Sequence, residues 1–491
     1  MDTGRVEARS CDPLCPDPVE EQNVTQTHSD AHTEAAPDVS EVTTLVVLGA
    51  GGDLTGRYLL PALARLEAVA ALPRELRILA VDRGEQTDAT FREHAEQHLA
   101  QHLPDADVGV VAGLLARLHY RRADVTSGAE LGAALPDVAT TPAAFYLALP
   151  NTLFGPTLEA LDELDVAPGS KLVVEKPFGT DLDDARRLNE AVRGSFGEKD
   201  VFRVDHFLAK QTVLDILGLR FANRVFEPVW NNLHVERVDI VWDETVALEG
   251  RAGYYDRAGA LRDMVQNHLL QLLALVAMEP PTSLDERDLR DRKADVLRAV
   301  RPPSPSDMAA RTTRARYTAG SVVGRDVPAY VDEDGVDPAR DSETYAEVVL
   351  EVDNWRWSGV PFRLRTGKAL GRDRREIVLH FRPVSHQPFG EASPDLLRFT
   401  LDPHRIELEV NLNGAGDPFD LERASLAADF PQQALPPYSR LFIEILEGDP
   451  TLSIRGDEAE VGWRIVEPVL AAWEDGSVPL REYAAGTDGP A

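Results

Sequence analysis

The sequence predicts an α/β domain on a parallel sheet, followed by a larger α+β domain on a mostly antiparallel sheet. Three observations carry this. The apolar run TTLVVLGA leads through a glycine-rich turn into a helical stretch and then a second apolar run, LRILAVDR. Between residues 143 and 177, wholly apolar runs flank helical spacing, as strands covered on both faces do. Beyond about residue 210, long helical segments are interleaved with runs that alternate apolar and polar residues, as antiparallel strands with one covered face do.

Taken in order, residues 1 to 40 are rich in Asp, Glu, Thr, Pro and Ser without periodicity, and read as a disordered tail. Cys11, Cys15, His28 and His32 reproduce a zinc-finger spacing there. The intervening DPVEEQNVTQT is acidic and offers no aromatic or leucine core, so no metal is expected. The first domain spans residues 41 to 204. Its opening β-α-β unit places Gly49-Ala50-Gly51-Gly52-Asp53 at the strand-to-helix turn, before the helical LTGRYLLPALARLEAVA. AAFYLALP (143 to 150) and KLVVEKP (171 to 177) are further buried strands with the helix TLFGPTLEALDEL between them. The second domain, residues 205 to 485, has helices over 212 to 224, 260 to 278 and 284 to 300, and strands in HVERVDIVW, YAEVVLEV, EIVLHF and RIELEVNL.

At 491 residues the chain is too long for one ordinary core, and its 43% apolar content suffices for two or three folding units. No apolar run reaches the roughly 18 residues of a membrane span. MDTGRVEARSCDPLCPDPVEE lacks the apolar centre of a signal peptide, so a cytoplasmic protein is expected. The formal charge of −32 sets net repulsion against any polyanion, which argues against nucleic acid as a partner. Both cysteines lie in the tail, so the folded body has no cysteine nucleophile, thiolate ligand or disulfide. Only six lysines stand against 45 arginines. Three of the six, Lys176, Lys210 and Lys368, fall in the motifs below, as in an acidic protein that concentrates positive charge where an anion binds.

The glycine turn bares backbone to a pyrophosphate, and the helix after it presents free N–H groups, which points to a Rossmann-like dinucleotide-binding domain. The match to G-x-G-x-x-G is imperfect, because Leu54 holds the third glycine position. Gly49, Gly51, Gly52, Asp53 and Leu54 are the cofactor candidates at the turn, with Ala148 at the end of AAFYLALP. After the second strand, Asp82 suits a ribose 2′-hydroxyl and Arg83 a 2′-phosphate, so NAD and NADP both stay open. An inward-pointing Asp82 would oppose the phosphate of NADP. Lys176 ends an apolar strand, where ligands sit in open parallel sheets, and Pro177 holds it extended. A surface lysine is the plainer reading.

In Arg203-Val204-Asp205-His206-Phe207-Leu208-Ala209-Lys210, a helix starting at Asp205 would project His206 and Lys210 from one face, two donors for a dianion such as a phosphate ester. Asp205 would then be free to orient a histidine from elsewhere. The segment from Arg262 continues into LLALVAM and is apolar almost all round, as a buried helix is. Asp263, Asn267 and Gln271 form an i, i+4, i+8 stripe on it with His268 beside. A polar stripe needs partners, which a ligand cavity would supply; a histidine bonded within the core is the alternative. Glu244 and Lys368 by themselves read as surface charges.

Together these pieces resemble the glucose-6-phosphate dehydrogenase family. The likeness spans Val46 to about Trp473 through GAGGDLTGRYLLPAL, FYLALP, EKPFG, RVDHFLAK, GRAGYYD, RDMVQNHLLQLLALVAMEPP, WRWSGVPFRLRTGKAL and PPYSRLFIEILEGDPTLSIRGDE, in the family's order. RVDHFLAK is similar to the family's R-I-D-H-Y-L-G-K signature. The resemblance implies oxidation of glucose 6-phosphate to 6-phosphogluconolactone, the first oxidative step of the pentose phosphate pathway, with hydride passing to NADP or to NAD. It further implies His268 as general base held by Asp205, His206 and Lys210 on the sugar phosphate, and Glu244 and Asp263 on sugar hydroxyls. Lys176 would touch substrate and cofactor, Lys368 would help at the substrate, Arg83 would meet a 2′-phosphate, and no metal would be needed. A homodimer or homotetramer joined through the large sheet is expected on the same ground.

Several positions depart from the family pattern. Phe207 replaces the signature tyrosine, which predicts weaker phosphate binding, and Ala209 and Gln211 replace Gly and Glu. Gly51 stands where Ser or Thr is usual, and Asp82 where a small residue is common. A second family arginine cannot be assigned, because Arg372 and Arg374 straddle its place. Two other readings are a glucose-fructose-oxidoreductase-type enzyme on an unphosphorylated sugar and a catalytically silent regulatory relative. His206 with Lys210 argues against the first, since an unphosphorylated sugar needs no dianion cradle. His268 with Asp205 argues against the second.

Overall fold

The computed structural model describes residues 42 to 490 apart from 251, 391, 418, 431 and 432, so the Cys11, Cys15, His28, His32 spacing lies outside the described residues. β1 (Thr44–Leu48), β2 (Arg77–Asp82), β3 (Leu118–Arg122), β4 (Ala144–Leu147), β5 (Lys171–Val174) and β6 (Val201–Arg203) form one parallel sheet. Their order, β3-β2-β1-β4-β5-β6, is the doubly wound one, with its switch point between β1 and β4. β1, β4 and β5 are buried along their whole length, as apolar runs covered on both faces must be. Gly49 leaves β1 at φ +86°, and a Cβ there would lie 2.5 Å from the Ala148 carbonyl, so the turn admits only glycine.

Part of the first sheet's cover comes from the far end of the chain. Leu441, Phe442 and Ile445 of the helix Pro437–Glu447 join the core formed by Leu45, Val47 and Leu63. Ser439 Oγ donates to the Ala62 carbonyl at 3.1 Å. The helix Gly456–Glu474 packs beside Leu182–Ser195, and Trp463 Nε1 donates to the Phe178 carbonyl at 2.9 Å.

The second sheet holds β7 (Val235–Asp243), β8 (Val300–Arg301), β9 (Thr312–Thr318), β12 (Tyr345–Val352), β13 (Pro361–Gly367), β14 (Arg374–Phe381), β15 (Leu396–Leu401), β16 (His404–Asn413), β17 (Leu421–Asp429) and β18 (Leu480–Ala484); β10 (Gly320–Val322) and β11 (Arg325–Val327) pair separately. The sheet is mostly antiparallel, as expected. β13 beside β7 and β18 beside β9 are parallel. The parallel pair β7 and β13 places Asp243 opposite Gly367, so the residues that follow, Glu244 and Lys368, emerge side by side.

Two local expectations differ. Residues 205 to 210 are not helical. Leu208 N–H bonds the Asp205 carbonyl and Lys210 N–H the Phe207 carbonyl, both at 3.1 Å, and the helix begins at Gln211. The Asp205 carboxylate takes the Phe207 N–H at 2.9 Å, a local bond that holds a turn in place of the first helical turn. The long buried helix is also not uniformly α. It is π-wound over Leu261–Leu269 before continuing as Leu270–Ala277. In π winding the backbone bonds run between residues five apart, which brings His268 toward the side of Asp263.

Candidate active site

The two sheets meet at the C-terminal edge of β5 and β6. Lys176 follows β5, and Asp205 to Lys210 follow β6. Facing them are the π-wound helix with Asp263 and His268, the ends of β7 and β13, and Tyr438 from the C-terminal part of the chain.

His268 Nδ1–H donates to Asp205 Oδ1 at 2.5 Å, with both side chains buried. Burial alone would raise the Asp205 carboxyl, but the charge and hydrogen bond of His268, then His206 and the Phe207 N–H, bring it down to about 2. Burial pushes the His268 imidazole below its ordinary value of 6.5, and Asp205 opposes that shift. An ionised Asp205 accepts, so the ring proton stays on Nδ1 and Nε2 is left as a proton acceptor. Phe207 stacks on the imidazole, 3.8 Å between ring centres and 5° between planes, which fixes the ring's tilt. Asp205, His206 and His268 offer ligand atoms within 4.8 Å of one another. The bond between Asp205 and His268 takes up an oxygen and a nitrogen of that trio in a shared proton contact.

Lys176 Nζ donates to Asp263 Oδ1 at 2.8 Å and to the Asp263 carbonyl at 3.1 Å. Burial would raise the Asp263 carboxyl, yet Lys176 holds it at about 2. Glu244 Oε2 accepts from Lys368 Nζ at 2.7 Å, and Trp242 Nε1 donates to its other oxygen at 3.4 Å. Two lysine–carboxylate pairs thus flank the histidine. Asn267 and Gln271 line a small cavity of about 20 Å³ with Arg203, Glu458 and Lys176, so it adjoins the Lys176–Asp263 pair.

His206 and Lys210 do not line one helix face, but both stand near the dyad. The His206 ring lies 5.2 Å from that of His268 and stacks on Tyr438 at 5.6 Å. Burial lowers its pKa to about 3, with His268 adding to the shift. The Lys210 ammonium rests over the Trp242 ring at 4.5 Å and over Phe207 at 4.9 Å. Burial brings it down to about 8, opposed by Asp402. A cation held on ring faces keeps its hydrogen-bond donors for an arriving anion.

Sequence reasoning missed Trp242, Tyr438 and Glu175. Trp242 closes HVERVDIVW, where alternation alone gives no reason to single it out. Glu175 is half-buried beside Lys176 and accepts from Tyr146 Oη at 2.5 Å, and desolvation pushes its carboxyl up to about 7. Tyr438 also bonds Glu175, which ties the ring under His206 to the end of β5. Of the arginines straddling the unassigned position, Arg374 bonds Asp243 at 2.8 Å, and Arg372 is exposed 3.9 Å from Asp488.

At the other end of the sheet edge, Gly51 and Gly52 are exposed at the head of the helix that begins at Asp53. A Cβ at Gly52 would lie 3.2 Å from the Gly49 carbonyl and 3.7 Å from that of Ala148, so bare backbone is what shapes this cradle. Leu54 sits in the first turn, and Arg83 is exposed just past β2. The cradle fits a dinucleotide pyrophosphate.

Comparison with known proteins agrees with this geometry. The family description "Glucose-6-phosphate dehydrogenase, NAD binding domain" matches residues 46–215, and "Glucose-6-phosphate dehydrogenase, C-terminal domain" matches residues 217–491. The chain is 40% identical over 465 residues to the glucose-6-phosphate 1-dehydrogenase of Mycolicibacterium smegmatis, covering 91% of this chain and 94% of that one. It is 39% identical to the Zymomonas mobilis protein of that name, over 91% and 96% of the two chains. A crystal structure of glucose-6-phosphate 1-dehydrogenase from Mycobacterium avium superposes with a TM-score of 0.82 at 34% identity, covering 92% and 95%. A glucose-6-phosphate dehydrogenase in complex with its substrate glucose-6-phosphate gives 0.83 at 30% identity, covering 92% and 96%.

Proposed function

The chain belongs to the glucose-6-phosphate dehydrogenase family, and from that premise we propose that it oxidises D-glucose 6-phosphate to 6-phospho-D-glucono-1,5-lactone. The observation that carries the reading is the buried 2.5 Å contact between Asp205 and His268, flanked by two lysine–carboxylate pairs. His268 Nε2 takes the proton of the anomeric hydroxyl as the C1–H hydride leaves and the C1–O double bond forms. Asp205 stays ionised and stabilises the imidazolium. A bound nicotinamide supplies the hydride acceptor, with Gly49, Gly51, Gly52, Asp53, Leu54, Arg83, Ala148 and Lys176 as the residues that would hold NADP or NAD.

The sugar is held by pairs. Asp263 with Lys176, and Glu244 with Lys368, each offer an acceptor and a donor to ring hydroxyls. His206 and Lys210 meet the 6-phosphate, whose negative charge opposes the burial that lowers the His206 pKa. In this reading residues 41 to 204 serve the dinucleotide, and residues 205 to 485 serve the sugar and subunit contacts. The cytoplasmic protein is a homodimer or homotetramer joined through the second sheet, a view supported by the exposed Leu412 and Leu426 on β16 and β17. Light scattering on the eluted protein reads the stoichiometry, and a monomer at micromolar concentration would remove this part.

The test of the activity is the initial rate of nicotinamide reduction with glucose 6-phosphate and with glucose, under NADP and under NAD. Turnover that requires the phosphate is expected. Activity on glucose alone would favour the unphosphorylated-sugar enzyme, and no turnover with either sugar would favour the silent relative.

A further inference from the structure

The two departures at the cofactor end of the sheet, Gly51 and Asp82, touch each other. Asp82 Oδ2 accepts the Gly51 N–H at 2.9 Å, and Oδ1 accepts the Gly84 N–H at 3.3 Å. A Cβ at position 51 would itself lie 2.9 Å from that carboxylate oxygen, so a side chain there would push the acid away. Glycine at 51 leaves the space that the Asp82 carboxylate fills, and two backbone donors fix that carboxylate at the end of β2.

Two of the three cations around it are already engaged. Arg122 lies opposite Asp82 in the β2–β3 register and pairs with Glu85 at 3.1 Å. Arg121 stands 3.8 Å from Asp88, whereas Arg83 is exposed and acts on Asp124 only at longer range. A 2′-phosphate brought to the end of β2 therefore meets a fixed negative charge and two arginines that have acids of their own, with the exposed Arg83 left to answer it. The ribose 2′-hydroxyl is a donor, and the bonded carboxylate still has lone pairs to accept it.

Resting on the dehydrogenase reading above, we propose that Asp82, seated on Gly51, is the specificity-determining residue of the cofactor site and makes NAD the preferred hydride acceptor over NADP. Arg83 gives NADP a secondary foothold.

The experiment measures kcat/KM for NAD and NADP, and the dissociation constant of each by calorimetry, on the wild type, Asp82→Asn, Asp82→Ser and Arg83→Ala. The wild type should favour NAD by about tenfold or more, the scale of one like-charge contact. Asp82→Asn keeps an oxygen for Gly51 N–H and removes the charge, so NADP should gain about tenfold in both readouts, and Asp82→Ser should add a loss for NAD. Arg83→Ala should weaken NADP more than NAD. A wild type that favours NADP, or an NAD to NADP ratio unmoved by both Asp82 variants, overturns the proposal while leaving the sugar chemistry standing. If neither cofactor is reduced with glucose 6-phosphate, the activity reading fails, and the two dissociation constants still decide the role of Asp82.

Discussion

His268 can accept a proton only while its ring is neutral, and burial keeps it so by lowering its pKa below 6.5. The group is lost as a base when pH falls through that lowered value. The acid limb of kcat should therefore lie below pH 6.5, and a limb well above it would assign the base elsewhere. Lys210 sets the opposite limb. Its charge, present below about 8, disappears as pH rises through that value, so kcat/KM for the phosphorylated sugar should fall above about pH 8. Lys210→Arg should move that fall to higher pH, and a pH profile identical to the wild type would separate Lys210 from the phosphate. His206→Asn should chiefly raise KM for glucose 6-phosphate; an unchanged KM would put the phosphate site somewhere else.

The π-wound segment decides which residues face His268, and its start is set by Gly259 and Glu343. Gly259 sits at φ 68° and ψ 172°, a conformation open only to glycine, and breaks the preceding helix. The buried Glu343 carboxylate then accepts the first free N–H, that of Leu261, at 2.9 Å. Gly259→Ala would drive a Cβ into that carboxylate and cost at least about 1–3 kcal/mol in backbone strain alone. A lower thermal midpoint together with a lower kcat is expected, and an unchanged midpoint would deny Gly259 this role. The same segment marks where the sequence stops being legible. His268, Asp205, His206, Lys210 and Lys176 stand out because each lies in a short motif whose chemistry is local. The winding does not, because no local residue pattern marks a π segment and its first N–H is met by a carboxylate 82 residues away. The supposed helix at Asp205 failed for a local reason, an aspartate side chain bonding its own turn. Glu244 and Lys368 became a pair only through the parallel register of β7 and β13, which alternation cannot supply.

Across the whole molecule, a net charge of −32 opposes the approach of an anionic substrate, and Lys176, Lys210 and Lys368 set positive charge at the site against it. The same excess repels itself, so added salt should raise the thermal midpoint by screening, and a midpoint that falls with salt would mean that the surface ion pairs outweigh the repulsion. Both sheets are needed to build the site. The first gives Lys176 and the turn after β6, the second gives Trp242, Glu244 and Lys368, and the helix Pro437–Glu447 closes over the first sheet with Tyr438. The central claim is that this assembly oxidises glucose 6-phosphate with His268 as base. Its most direct test is kcat and KM of His268→Asn beside the wild type on glucose 6-phosphate. The account predicts a kcat lower by on the order of 10²–10⁴ with KM nearly intact. A variant that loses only KM, or that turns over as fast as the wild type, would contradict it.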